Sequence, residues 1–187
     1  MKKKIIIDAL KSCLQRDVYS KITVQDIADE SGFSKGGVLH YFSTKEDIYL
    51  GLIEELFADI EKSHSAIFDW QLDAESMAPM SALVGVENFI LDKNNLKIVM
   101  NLLLYAFEEE KIMTAVRDFI IKQRLFYYNI IPKENREGLK RKSDIDPKVL
   151  ARIAQTLVLF IGAAEAIDPV GIDHVDLIKF ISSLLKS

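Results

Sequence analysis

The sequence predicts an all-helical protein, and three observations carry that expectation. Apolar residues recur at spacings of three and four in nearly every segment longer than ten residues, and none alternates over a strand length. Helix caps precede the periodic segments at Thr23, Ser34, Thr44, Asp146 and Asp173. With 187 residues, 49% of them hydrophobic, the chain has material for a real core in one large or two small domains.

Each element follows from its own signals. An opening helix is expected over about Lys4 to Arg16, with Ile6, Ile7, Leu10, Cys13 and Leu14 inward and Tyr19 closing the loop after it. Thr23 caps a short helix that turns Ile27 and Ala28 inward, Ser31-Gly32-Phe33 makes a turn, and Ser34 caps a second short helix through Val38, Leu39 and Phe42. Thr44 and Asp47 form a capping-box-like pair that opens a longer helix through Ile48, Leu52, Leu56 and Ile60 toward His64. Pro79 interrupts the segment beyond Trp70, which then leads into a helix from about Met80 to Leu91. Two more follow, over about Asn95 to Phe107 and Lys111 to Ile131, the latter stopped by Pro132. The polar stretch Lys133 to Ser143, with Gly138 in it, reads as a loop. Asp146-Pro147 then supplies a cap and an N1 proline for a helix to Ile167, and Asp173 caps a last one to Leu185. This pattern predicts an N-terminal three-helix domain over residues 1–47 and a C-terminal helical bundle over 48–187, joined by a shared helix rather than a flexible linker.

Composition narrows the function classes. No run of 18 uncharged apolar residues exists, and the apolar run after Met1-Lys2-Lys3-Lys4 meets Asp8 too soon for a signal-peptide core, so a cytoplasmic protein without a membrane span is expected. The single cysteine, Cys13, lies on the first helix's apolar stripe and excludes an internal disulfide. His64 and His174 lack metal-ligand spacing, so neither metal nor cofactor is expected. An enzyme is disfavoured as well: there is no nucleophile-base-acid series, no glycine-rich phosphate loop after a strand and no recognisable carboxylate pair. The net charge of −4 is unevenly spread. Residues 1–47 carry 8 Lys and Arg against 7 Asp and Glu, and the remainder 16 against 21. A local patch from Lys2, Lys3, Lys4, Lys35 and Lys45 is enough for phosphate contact.

Two short helices joined by a glycine turn have the spacing of a helix-turn-helix, in which the second helix enters the major groove and the first crosses the backbone. Thr23 caps the first helix where it would face phosphate. Gln25 either bonds adenine bidentately or is an ordinary surface glutamine. Lys35, Gly36 and Gly37 form the first turn of the second helix. Glycine costs roughly 1 kcal/mol relative to alanine there, so two in succession point to a backbone that approaches something closely. Of His40 and Tyr41, one is expected on a phosphate or a thymine methyl and the other against the module. Lys45, at the start of the next helix, is expected to hold a phosphate with nearby backbone amides.

The run SKGGVLHYFSTKEDIY, preceded by ITVQDIADESGF, resembles the signature of the TetR family of transcriptional regulators over about the first 50 residues. The resemblance implies a cytoplasmic homodimer, usually a repressor, that binds a palindromic double-stranded operator and is released by a small-molecule effector. Carried over by position, it implies base contacts at Gln25, Lys35, Gly36 and His40, and phosphate contacts at Thr23, Ser34, Tyr41 and Lys45. Leu39 stands where the family usually has tyrosine and Gly37 where it has Thr, Ser or Ala. Asp17-Val18 replaces the usual glycine before Tyr19.

Past about Leu56 the resemblance fades and the residues speak alone. The bundle's aromatic and pliable side chains suggest an apolar cavity for a small apolar or amphipathic ligand, lined by Phe57, Trp70, Glu87, Phe89, Met100, Leu104, Tyr105 and Phe126. Glu87 or Glu165 is a candidate counter-ion for a cationic compound, with Glu165 alternatively pairing across an interface. The last two helices are apolar over more than one face. Leu150, Ile153, Leu157, Phe160, Ile161, Val175 and Ile178 are therefore expected at a two-fold dimer interface. The alternative to a ligand-responsive regulator is a dimeric DNA-binding protein with no inducer.

Overall fold

The computed structural model describes residues 1–69, 72–138 and 145–186, and every regular element among them is helical. In chain order these are α1 (Lys2–Arg16), α2 (Val24–Ser31), α3 (Lys35–Tyr41), α4 (Lys45–Asp69), α5 (Ala74–Val86), a π-turn (Glu87–Leu91), α6 (Lys93–Ala106), α7 (Glu110–Ile130), the single turn α8 (Lys133–Arg136), α9 (Pro147–Ile167) and α10 (His174–Lys186). The chain separates into two compact units. The first comprises Met1–Asp59 and Lys97–Phe119, and the second Ile60–Leu96 and Ile120–Ser187. The division expected at Asp47 thus falls inside the first unit, which also takes in most of α6 and the first half of α7.

In the first unit, α1 lays Ile6, Leu10 and Leu14 against the apolar sides of α2 and α4, where Ile27, Ala28, Ile48 and Leu52 are fully buried. Caps and turns fix the helix ends. Thr44 and Asp47 exchange N–H bonds at 3.1 Å each, a reciprocal box that starts α4 where the sequence places it. Cys13 is buried, and burial pushes its thiol pKa up, so it packs as a small apolar residue.

The second unit is built on small residues. Ala78 and Ala82 of α5 and Ala151, Ala154 and Val158 of α9 share one core with Ile130, Leu150, Ile181 and Leu185. Pro79 does not break this region as expected. It sits inside α5, which begins at Ala74 behind the Asp73 cap, because proline removes one donor without reversing the packing of Ala78 and Ala82. The expected loop after Pro132 also begins with a turn of helix, closed by the Asn135 and Arg136 amides on the Pro132 carbonyl. The rest of that stretch, residues 139–144, lies outside the described residues.

The end of α5 loosens into the π-turn, in which the Asp92 N–H reaches back five residues to the Glu87 carbonyl. This turn packs on α9 so closely that a Cβ at Gly162 would stand 2.2 Å from the Phe89 carbonyl oxygen. Gly162 is therefore an internal contact, and so are Ala151, Ala154 and Val158. The breadth of the α9 apolar surface, read from sequence as interface, goes partly to the unit's own core. Leu150 is corrected outright: at 2% exposure it faces inward. By length and composition alone α9 could cross a membrane, yet this face is packed against α5 and the π-turn.

Gly162→Ala should cost about 1–3 kcal/mol, since a side chain there must push the π-turn backbone aside. Urea unfolding measures the loss, and wild-type stability in this variant would contradict the close approach.

Candidate nucleic-acid interface

The helix-turn-helix is fastened by side chains at each corner. At the start of α2 the Thr23 N–H donates to Asp26 Oδ2 at 2.7 Å, while the Asp26 N–H donates to Thr23 Oγ1 at 3.2 Å. The Thr23 hydroxyl, followed by its amide, holds the Asp26 carboxyl below the usual carboxylate range. Gly32 ends α2 in the left-handed region, at φ 72°, where a Cβ would be strained. Ser34 then caps α3 by accepting the Gly37 N–H at 3.0 Å. In the seven residues of α3 only Val38 is fully buried, so little of this helix serves the core.

Lys35, Gly36, Leu39 and His40 are all exposed on α3. Gly36 has open space where a Cβ would stand. Gly37 is more crowded, since that Cβ would lie 3.2 Å from Ser34 Oγ and 3.5 Å from the Phe33 ring. His40 and Tyr41 differ in their surroundings. His40 is exposed, and the half-buried Tyr41 packs edge-on against Phe33 at 6.0 Å. Gln25 is exposed too, its amide donating to Asp29 at 2.7 Å. Leu39, 38% exposed, is an apolar side chain on the outer face of α3.

The lysine patch is thinner than expected. Lys4 pairs with Asp8 and Glu55, each at 3.1 Å, and Lys3 lies 5.2 Å from the centre of the Phe42 ring. Lys45 differs most. Its half-buried ammonium donates to the Tyr19 carbonyl at 3.0 Å and lies 5.6 and 5.8 Å from the Tyr49 and Tyr105 ring centres. Burial lowers its pKa, and its ammonium is bonded within the fold.

That bond belongs to a cluster the sequence did not reveal. The Tyr19 N–H donates to Asn101 Oδ1 at 2.9 Å, in a buried setting, and the Tyr19 ring stacks on Tyr105 at 4.9 Å. The Tyr105 hydroxyl donates to Glu46 at 3.0 Å, and Lys97 Nζ donates to the Gln15 carbonyl at 2.6 Å. Burial, and then the Glu46 carboxylate, push the Tyr105 hydroxyl pKa up. Residues 97–105 of α6 thereby hold the end of α1, the α1–α2 loop and the start of α4. The available signal was Asn101 itself, an amide on the apolar face of α6.

The expected ligand-lining residues are divided between the two units. Phe57, Met100, Leu104 and Tyr105 belong to the first unit, and Glu87, Phe89 and Phe126 to the second. Trp70 lies outside the described residues. Phe57 is stacked on Phe119 at 3.5 Å, and Phe126 on the buried His64 at 3.8 Å. Desolvation takes the His64 pKa down to about 4, so its imidazole is neutral near pH 7 and packs as an aromatic ring. Tyr105 is committed to Glu46, Leu104 is exposed, and Glu87 is exposed and so is no buried counter-ion. Glu165 accepts the Val170 and Gly171 amides at 3.2 and 3.3 Å, which closes the turn after α9. Of the remaining residues expected at a dimer interface, Ile153, Phe160 and Val175 are exposed. Leu157, Ile161 and Ile178 are half-buried against the second unit's core.

Residues 6–52 match the model of the family described as bacterial regulatory proteins, tetR family. The uncharacterized HTH-type transcriptional regulator YfiR of Bacillus subtilis is 41% identical over 49 residues, which is 26% of this chain and 24% of that protein. The chain thus aligns with about a quarter of that relative's length. The HTH-type transcriptional regulator BetI of Agrobacterium fabrum is 26% identical over 174 residues, 93% of this chain and 77% of that one. The fatty acid degradation regulator FadR from Bacillus halodurans superposes with a TM-score of 0.79, covering 98% of this chain and 94% of its own at 17% identity, a likeness of fold.

Asn101→Ala should cost about 1–3 kcal/mol, because it leaves the Tyr19 amide buried without a partner. Tyr105→Phe should cost less, since the half-buried Glu46 carboxylate reaches water. Urea denaturation of both variants checks the order, and equal small losses would show that the Tyr19 amide finds another acceptor.

Proposed function

We propose that this chain, whose residues 6–52 carry the DNA-binding module of the TetR family, is a homodimeric transcriptional repressor released from its operator by a small apolar or amphipathic molecule. The observation that carries the DNA-reading part is α3, a capped helix with one fully buried residue and an outer face of Lys35, Gly36, Leu39 and His40. A helix so poorly used by the core is suited to the major groove. There Lys35 can donate to guanine and Leu39 can meet a thymine methyl. Ser34 and Thr23 stand where the backbone phosphates would pass.

Dimerisation is supported by apolar residues left in water at the C-terminal end. Phe160 is 64% exposed and Ile167 86%, and Val170, Val175 and Phe180 are exposed beside them in sequence. A surface of this kind is typical of an association site, and a two-fold dimer is what an operator with half-sites about 34 Å apart requires. An effector acts by preferring a conformation in which that spacing is wrong, which draws the population away from the DNA-competent state. Phe126 and its partners, His64, Phe68 and Tyr127, form the aromatic cluster best suited to sense it.

Operator sites selected from a random DNA pool, followed by gel shifts across a salt series, test this reading. Lys35→Ala should lose about 1–3 kcal/mol of affinity and relax selectivity at one base pair. Lys45→Ala should lower thermal stability and leave the salt slope unchanged. A chain that selects no sequence, or a Lys35→Ala variant that binds as wild type does, would refute the proposal.

A further inference from the structure

We propose that the second unit carries a binding site for an anionic amphiphile, a carboxylate or phosphate head on a hydrocarbon chain, in the groove between α7 and the start of α9. The groove measures about 520 Å³, within the range of small-molecule sites. Its walls combine two chemistries. Leu125, Val149, Ile153 and Tyr128 supply apolar surface, and Arg124, Lys148 and Arg152 supply three cations.

None of the three cations has a carboxylate partner among the described residues. Arg152 makes only a neutral contact, to Gln155 at 3.0 Å. A fourth cation adjoins them: Arg136 lies 5.3 Å from the centre of the Tyr128 ring, and its buried Nε has no hydrogen-bond partner among the described residues. Asp146, the N-cap of α9, accepts the Lys148 amide at 2.8 Å. In a chain of net charge −4, this concentration of unpaired cations favours an anion. Lys148 sharpens the point. It stands in the first turn of α9, where the helix dipole disfavours positive charge, so folding alone gives it no reason to be basic.

The exposed apolar floor selects among anions. A free inorganic ion would leave Leu125 and Val149, both about half exposed, uncovered, whereas a hydrocarbon chain covers them while its head meets the arginines. Ile153 is also among the residues expected at the dimer interface, which makes a second copy the competing occupant and the oligomeric state part of the test, but a two-fold axis at the groove itself would set these cations against their own copies. The groove lies wholly within the second unit, and the proposal does not depend on the DNA-binding reading.

Calorimetric titration of the full chain with decanoate, decyl phosphate and decan-1-ol tests the proposal. Saturable binding of at least one anionic probe is expected, with decan-1-ol at least tenfold weaker. The relative strength of decanoate and decyl phosphate identifies the preferred head. Arg124→Glu/Arg152→Glu should weaken the anionic probes at least tenfold, and Lys148→Glu, which suits a helix start and keeps the fold, several-fold. Sedimentation run alongside should show the oligomeric state unchanged. The proposal is overturned if no probe saturates, if the alcohol binds as tightly as the anions, if charge reversal leaves binding intact, or if reversal dissociates the protein, which would make the groove a self-interface.

Discussion

The structure turns on the two polar groups of one buried residue, Tyr19. A loop between helices normally satisfies its backbone with water, but here the Tyr19 amide gives its hydrogen bond to Asn101 and its carbonyl takes one from Lys45. Each bond is costly to lose because the residue is buried. Residues of α6 therefore share in holding the α1–α2 loop and the start of α4. Residues 97–119 belong to the same compact unit as residues 1–59, although some forty residues of chain lie between. The ring stack of Tyr19 on Tyr105 and the Tyr105 bond to Glu46 follow from that arrangement.

A second constraint shapes the other unit. The π-turn brings the Phe89 carbonyl against α9, and only glycine fits at position 162. Small residues along α9 let α5 approach on the same side, which leaves the larger Phe160 and Ile167 in water. The helix therefore has one face committed internally and another available outside. Its first two turns add a basic character of their own, through Lys148 and Arg152.

The parts of the molecule legible in the sequence are those decided within a few residues. Thr23, Gly32, Ser34 and the Thr44–Asp47 pair all make the local bonds their spacing implies, because a cap needs only neighbours three residues away. Long-range partners were not legible. Lys45 has the position of a phosphate contact, and nothing near it in sequence shows that the Tyr19 carbonyl lies within reach. Leu150 and Ala154 have the pattern of a wide apolar face, but periodicity does not say which neighbour covers it. Pro79 reads as a breaker, and tertiary packing of Ala78 and Ala82 overrides it. At the candidate site, that Leu39 stands outward, and that Gly37 is more crowded than Gly36 through Ser34 and Phe33, required the geometry of the fold.

The central claim is that α6 from Lys97 onward is structurally part of the DNA-reading unit. Native-state hydrogen exchange under increasing denaturant tests it most directly. The amides of residues 19–28 and 97–106 should open with a common free energy and merge into one exchange unit. If residues 97–106 open well before α1 to α3 while the latter keep their protection, α6 is an independent neighbour and the claim is wrong.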